Sequence, residues 1–196
     1  MNSVSAPFFR REFSCSNFKK AVLYFCSPGY HELYVNGVKA GNEVLSPAPT
    51  RFDMRLSYIE YELSDLLKPG ENVITVMLGN GWYNCHSTKH WSFDKAPWRD
   101  YPKFICDLVI DGETVLVSDT AWKMHPSPIT FDALRSGEYY DARLETPGFA
   151  DPGCLSDNWP QAKAVFPPGG IIEKEDILRK IKLGAAKYIK SNFELL

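Results

Sequence analysis

The dipeptide Asn36-Gly37 limits what this chain can fold into more than any other pair of neighbours. A type I′ turn needs positive φ at both central residues, and asparagine followed by glycine meets that need at low steric cost. Tyr30-His-Glu-Leu-Tyr-Val35 precedes the dipeptide and Val38-Lys-Ala40 follows it, so the spacing predicts a tight β-hairpin.

The rest of the first half repeats this alternation of short β-prone runs and turn signals. Lys20-Ala-Val-Leu-Tyr-Phe-Cys26 is apolar on both faces and stops at Ser27-Pro-Gly29, as expected of a strand in the middle of a sheet. Leu56 to Glu62 reads as a strand, and Val73-Ile-Thr-Val-Met-Leu78 as a buried one. Between them, Ser64 or Asp65 is expected to cap a single helical turn that Pro69-Gly70 ends. Phe104, Cys106, Leu108 and Ile110 alternate with more polar residues up to Asp111-Gly112, which predicts a second hairpin into Thr114 to Ser118. Helix signals are nearly absent, so the fold class is all-β, a sandwich of short strands.

With 196 residues the chain has room for one sandwich of ordinary size and a terminal extension. After Trp122 it becomes proline-rich and irregular, and Pro167-Pro-Gly-Gly170 reads as a boundary. We therefore divide it into a β-sandwich domain over 1–166 and a linker or the start of a following domain over 167–196, leaving 171–196 without an assigned structure.

Composition excludes several classes of function. No apolar run approaches the roughly 18 residues that a membrane span requires, so no membrane partner is expected. A net charge of −2 lacks the positive bias that phosphate backbones demand, which argues against nucleic acid. Met1 to Phe9 carries no basic and apolar leader, and the five cysteines are scattered without a Cys-x-x-Cys pair. Reduced thiols in a cytoplasmic protein are the expectation.

Motifs of catalysis are missing: no Gly-x-Ser-x-Gly elbow, no His-Glu-x-x-His and no phosphate-cradling glycine loop occurs. No catalytic residue is assigned. Two other segments stand out. Gly79 to Tyr101 is too long and irregular for a simple turn, and it holds Asn80, Trp82, Tyr83, Trp91, Phe93 and Trp98. Flat aromatic faces serve core packing, interdomain contact or a sugar platform, and all three remain open here. Cys85, His86 and His90 in the same loop are a weaker metal candidate, with incidental clustering the simpler reading. Asn80 between Gly79 and Gly81 is expected where a turn needs positive φ.

The second segment, Gly137-Glu-Tyr-Tyr-Asp-Ala-Arg143, places Glu138, Tyr140, Asp141 and Arg143 together. Planar carboxylate and guanidinium groups suit bidentate bonds to adjacent sugar hydroxyls, and they equally suit an internal ion pair of Arg143 with Glu138 or Asp141. Asp151, Asp157 and Asn158 offer oxygens suited to calcium but lack a regular calcium-loop spacing. No metal ligand is assigned, and calcium stays open as the one cofactor candidate.

Five segments in order, Phe9-Arg-Arg-Glu-Phe13, Gly29-Tyr-His-Glu-Leu-Tyr-Val-Asn-Gly37, Asp65-Leu-Leu-Lys-Pro-Gly-Glu-Asn-Val73, Leu78-Gly-Asn-Gly-Trp-Tyr83 and Gly137-Glu-Tyr-Tyr-Asp-Ala-Arg143, resemble the N-terminal domain of bacterial α-L-rhamnosidases of glycoside hydrolase family 78. The likeness runs from Phe9 to about Trp159, and its last two segments are the most specific. It implies a jelly-roll, galactose-binding-like β-sandwich with an irregular C-terminal extension, standing beside an (α/α)6 catalytic barrel of the same parent chain. The parent's activity would be inverting hydrolysis of terminal α-L-rhamnosyl groups, with both catalytic carboxylates on the barrel. The tail from Ile171 resembles the family's connection into a following sandwich, which implies a truncated chain. Rhamnose-containing glycans are the implied ligand class, and some accessory domains of the family bind rhamnose with the help of calcium. The candidate carbohydrate-binding or interdomain residues are Asn80, Trp82, Tyr83, Trp91, Glu138, Tyr140, Asp141 and Arg143. The alternatives are a purely structural packing domain, the sugar-binding domain of a β-galactosidase-like hydrolase, and a small intact enzyme with a site built from loops.

Overall fold

The computed structural model describes residues 5–86 and 91–176. Its strands are β1 (Pro7–Cys15), β2 (Ala21–Cys26), β3 (Tyr30–Val35), β4 (Val38–Lys39), β5 (Arg55–Glu62), β6 (Gly70–Gly79), β7 (Ile105–Ile110), β8 (Glu113–Val117), β9 (Lys123–Pro126), β10 (Ile129–Ala133), β11 (Gly137–Tyr140) and β12 (Ile171–Lys174). One five-stranded sheet has the order β4-β3-β6-β1-β9, and a second has the order β12-β5-β2-β7-β8. A two-stranded ribbon, β10-β11, stands apart. The result is the jelly-roll β-sandwich, with pairing antiparallel except for β12 on β5.

The two runs that are apolar on both faces occupy the middle of the two sheets, β6 in the first and β2 in the second. β6 is covered on both sides, with Val73 and Thr75 buried on its outer face, so its sequence need not alternate, whereas β2 leaves Tyr24 37% exposed on its outer face. From β2, Ala21, Leu23 and Phe25 point into the sandwich and meet Leu33, Val35, Ile74, Val76 and Leu78 of the opposite sheet. Each such side chain contributes roughly 1.5–3 kcal/mol through burial. Trp122 closes one end, fully buried, with its Nε1–H donating to the carbonyl of Val117 at 2.9 Å.

Both expected hairpins form. Asn36 and Gly37 have φ of 50° and 85°, and Asp111 and Gly112 have 49° and 92°. The single turn after β5 also forms, closed by bonds from the Leu66 and Leu67 N–H groups to the Leu63 carbonyl. Neither expected residue caps it: the Ser64 hydroxyl accepts from the Ala21 N–H and donates to Glu62, tying the turn to β2 instead.

Several features follow from contacts distant in sequence. Arg10 of β1 is only 1% exposed, because the segment around Phe149 folds over the outer face of its sheet. Its guanidinium donates to the carbonyls of Phe149 and Asp151 at 3.1 and 3.0 Å, and Phe8 stacks on Phe149 with centroids 4.1 Å apart. The buried ring of His31 lies between two hydroxyls, Ser27 Oγ 2.8 Å from Nδ1 and Tyr61 OH 2.8 Å from Nε2. At Gly29 the backbone runs so close to Gly79 that a Cβ would stand 2.2 Å from its carbonyl oxygen. Beyond the Pro167–Gly170 segment, Ile171–Lys174 joins the sandwich as β12, in register with Arg55 to Tyr58. Residues 177–196 lie outside the described residues.

Candidate functional site

The aromatic loop and the Gly137–Arg143 segment, far apart in sequence, meet in space. The link is Asp132 on β10. Its Oδ2 accepts the Asn80 backbone N–H at 2.8 Å, and its Oδ1 accepts the Asn80 side-chain amide. From there a chain of polar contacts runs through the loop: Asn84 Nδ2 donates to Asn80 Oδ1 at 2.7 Å, and Arg99 Nε donates to Asn84 Oδ1 at 3.2 Å. Arg99 Nη2 then reaches His86 Nδ1 at 2.9 Å. Asn80 and Asn84 are buried, so these bonds replace solvation that burial removed. The positive φ of this turn belongs to Gly81, at 52°, and not to Asn80. Asn80 is there for its amide, which bridges the loop to the ribbon.

Below the polar chain lies a second small core of Cys26, Phe52, Leu56 and Tyr83, with Tyr58, Trp82 and Trp98 packed against it. Phe52 stands edge-on to Tyr83 at 5.5 Å and to Trp98 at 6.0 Å. Tyr83 is fully buried, and its phenol is held protonated well above the usual range by burial and, to a lesser extent, by the charge of Asp100. Trp82 sits 5.7 Å from Trp91 and 5.2 Å from Phe93. Packing thus absorbs Tyr83 and much of Trp82. Trp91 is 70% exposed, and Arg135 of the β10–β11 turn lies over its ring, 5.0 Å from the centroid.

On the ribbon, Tyr139 and Tyr140 are exposed, Tyr139 packs on Phe131, and Phe131 approaches His86. Of the two ion pairs open to Arg143, the one with Asp141 forms, bidentate at 2.8 and 2.6 Å. The Asp141 carboxyl also accepts the Arg143 N–H, capping a one-turn 3-10 helix, and these bonds hold it below the usual carboxylate range. Glu138 is exposed on β11 opposite Asp132. Of the eight candidates, Asn80, Trp82 and Tyr83 build the interior of the patch, and Trp91, Glu138, Tyr140 and Arg143 face outward beside half-buried Asp141. Sequence reasoning missed Asp132 and Arg135, which join the ribbon to the loop, and Arg99, which braces the loop internally through Asn84, Asp94 and His86; each is a single polar residue that no local pattern marks.

His86 is the one loop histidine among the described residues; His90 lies outside them. Burial, followed by the adjacent Arg99, pulls the His86 imidazole below its ordinary value. Protonation at Nδ1 would break the bond it accepts from Arg99 and set two cations side by side, which favours the neutral imidazole. No group of three or more His, Cys, Asp or Glu side chains able to hold a metal occurs among the described residues. No described helix is long and apolar enough to cross a membrane.

Comparison with known proteins gives a consistent result. The family model of the α-L-rhamnosidase N-terminal domain matches residues 16–179. An α-L-rhamnosidase of Formosa agariphila is 30% identical over 183 residues, covering 85% of this chain and 18% of that protein. The solved α-L-rhamnosidase of Dictyoglumus thermophilum superposes with a TM-score of 0.77 at 36% identity, covering 87% of this chain and 19% of that one. The Streptomyces avermitilis α-L-rhamnosidase, solved in complex with L-rhamnose, gives 0.78 at 27% identity, with 86% and 17% covered. The chain therefore spans under a fifth of the length of these relatives.

Proposed function

The chain belongs to the α-L-rhamnosidase N-terminal domain family, and from that premise we propose that it serves a parent rhamnosidase as a non-catalytic accessory module docked through the loop and ribbon patch. The observation that carries this reading is the construction of the patch. Asn80 and Asp132 lock the loop to the ribbon from inside, while Trp91, Tyr139 and Tyr140 are left 70%, 66% and 54% exposed. Rigid aromatic rings displayed on a braced surface suit an interface, because little side-chain entropy is lost when they are covered. The partner is the catalytic (α/α)6 barrel of the same polypeptide, which supplies both carboxylates for hydrolysis of terminal α-L-rhamnosyl groups.

Within the patch, Asp141 is neutralised by Arg143 and Asp132 is bonded to Asn80, so neither is a free carboxylate poised for acid or base work. The segment 167–196 is read as the connection toward the rest of the parent, with β12 anchoring its first residues to the sandwich. Five free thiols support a reducing, cytoplasmic setting. In the full parent polypeptide, Trp91→Ala combined with Tyr140→Ala is expected to lower the thermal midpoint of the catalytic part, while the isolated chain loses only the local contacts of Trp91 with Trp82, Phe93 and Arg135 and of Tyr140 with Glu145. An unchanged midpoint in the parent would sink the docking assignment.

A rhamnose-containing glycan on the same patch is the second reading, supported by the exposed Trp91 and Tyr140 rings. Calorimetric titration of the chain with L-rhamnose, with calcium and again with a chelator, checks both the sugar and the metal: heat that Trp91→Ala abolishes supports it, and no heat removes it.

A further inference from the structure

The pairing registers of the second sheet set its outward side chains in rows. Lys174, Tyr58, Cys26 and Ile105 are consecutive neighbours across β12, β5, β2 and β7, and Glu60, Tyr24, Asp107 and Val117 form the next row across β5, β2, β7 and β8. The Tyr24 and Tyr58 rings stand edge-to-face with centroids 5.9 Å apart, and Ile105 is 51% exposed. Glu62 lies on the same face as Glu60, one row further along β5, because side chains two apart on a strand point the same way. The face therefore joins an apolar strip to three acids, Glu60, Glu62 and Asp107. They are only partly offset by Lys174, which donates to Glu60 Oε2 at 2.6 Å, and by Lys20 beside Glu62.

An apolar strip left open to solvent is of the kind that marks an interaction surface, and the next stretch of the chain has the complementary chemistry. Residues 177–196 carry five bases, Arg179, Lys180, Lys182, Lys187 and Lys190, against the single acidic side chain of Glu194, interspersed with apolar residues such as Ile177, Ile181 and Tyr188. β12 brings this stretch to the face. It runs parallel to β5, and the Glu175 N–H donates to the Tyr58 carbonyl at 2.9 Å, so the chain passes Tyr58 heading toward Glu60 and Glu62. The far edge of the sheet, β8, lies four strand spacings or ~19 Å away, and the stretch covers that distance even at the helical rise of ~1.5 Å per residue. A second copy of the chain is a poorer occupant, because it would bring two faces of like charge together.

We infer that residues 177–196 lie back across this face, their apolar side chains on Tyr24, Tyr58 and Ile105 and their bases on Glu60, Glu62 and Asp107. The contact covers the apolar strip and fixes the direction in which the chain leaves the sandwich. It involves neither Trp91 nor the β10–β11 ribbon, and it stands or falls independently of the docking assignment.

The test is limited trypsin digestion of the full chain read by mass spectrometry, with carbodiimide coupling as a second measurement. Asp107→Lys and Ile105→Lys each place a cation on the face at an exposed position. The sandwich should keep its thermal midpoint, while cleavage within 179–190 accelerates about tenfold relative to the unsubstituted chain, because the protease cuts the released form. In the monomer, carbodiimide should couple Glu60, Glu62 or Asp107 to lysines of 180–190 in preference to Glu12, Asp151 and Asp157, which are exposed elsewhere on the fold. Equal cleavage rates for the three proteins, coupling spread evenly over the exposed acids, coupling only between chains, or, in the full parent polypeptide, coupling of these acids to another domain in place of 177–196 would each overturn the assignment.

Discussion

Asp132 and Asn80, separated by 52 positions, are joined twice, the carboxylate accepting both the backbone N–H and the side-chain amide of the asparagine. Through this pair the β10–β11 ribbon and the aromatic loop become one surface. Because Asn80 is 1% exposed, Asn80→Ala strands the Asn84 amide and removes a bond from Asp132. The expected loss is about 2–3 kcal/mol. A double-mutant cycle with Asp132→Ala, read by denaturant unfolding, should show a coupling of about 1 kcal/mol or more; additive losses would mean that the two segments are not linked through this pair.

Acidification should loosen the loop through His86. Its folded-state pKa lies below the ordinary value because burial and Arg99 oppose the charge, so the unfolded chain takes up the proton first. The stabilising contribution is therefore complete above the unfolded value near ~6.5 and is lost as pH falls through the lower folded value. Amide hydrogen exchange at Tyr83 to His86 and Phe93 to Arg99 should accelerate over that window, and His86→Gln should flatten the response. Identical pH profiles for both proteins would remove His86 from the account.

Thiol chemistry should sort the cysteines by depth. Cys26, Cys85 and Cys106 are buried, and Cys15 and Cys154 are partly exposed. Burial pushes the Cys26 thiol up to about 12 and raises Cys106 as well. Alkylation of the native protein near neutral pH should mark Cys154 and, more slowly, Cys15, with the other three reacting only after unfolding. Rapid native labelling of Cys26 would show that the side chains covering it, Tyr24 and Tyr58 among them, open readily in the folded protein.

Gly29→Ala should destabilise the sandwich by about 1–3 kcal/mol, since the new methyl meets the Gly79 carbonyl oxygen and one backbone must move. The nearby loop would feel the shift first, so the near-ultraviolet dichroism of Trp82 and Trp98 should change along with the midpoint. A variant as stable as the parent sequence would mean that this close approach is not required.

Much of the sandwich was legible because its signals are local. The hairpins at Asn36-Gly37 and Asp111-Gly112 declare themselves through backbone chemistry, and β2 and β6 through unbroken apolar runs. β1 was harder: Arg10 interrupts its pattern, and only the carbonyls of Phe149 and Asp151, about 140 positions away, explain how a guanidinium is buried there. β12 is exposed at every residue and is held by ladder bonds to β5, so no periodicity marks it. The candidate site divides in the same way. Its aromatic residues were visible as composition, but which rings face inward depends on Phe52 and Leu56, and the union of loop and ribbon depends on Asp132.

Hydrolysis of 4-nitrophenyl α-L-rhamnopyranoside, followed side by side for the purified chain and the full parent polypeptide at equal molar concentration, decides where the chemistry resides. A module that leaves chemistry to another domain predicts release of nitrophenolate by the parent and none above background by the chain. Turnover by the chain alone that disappears on substituting one of its own carboxylates would contradict the accessory role and place an active site within these 196 residues.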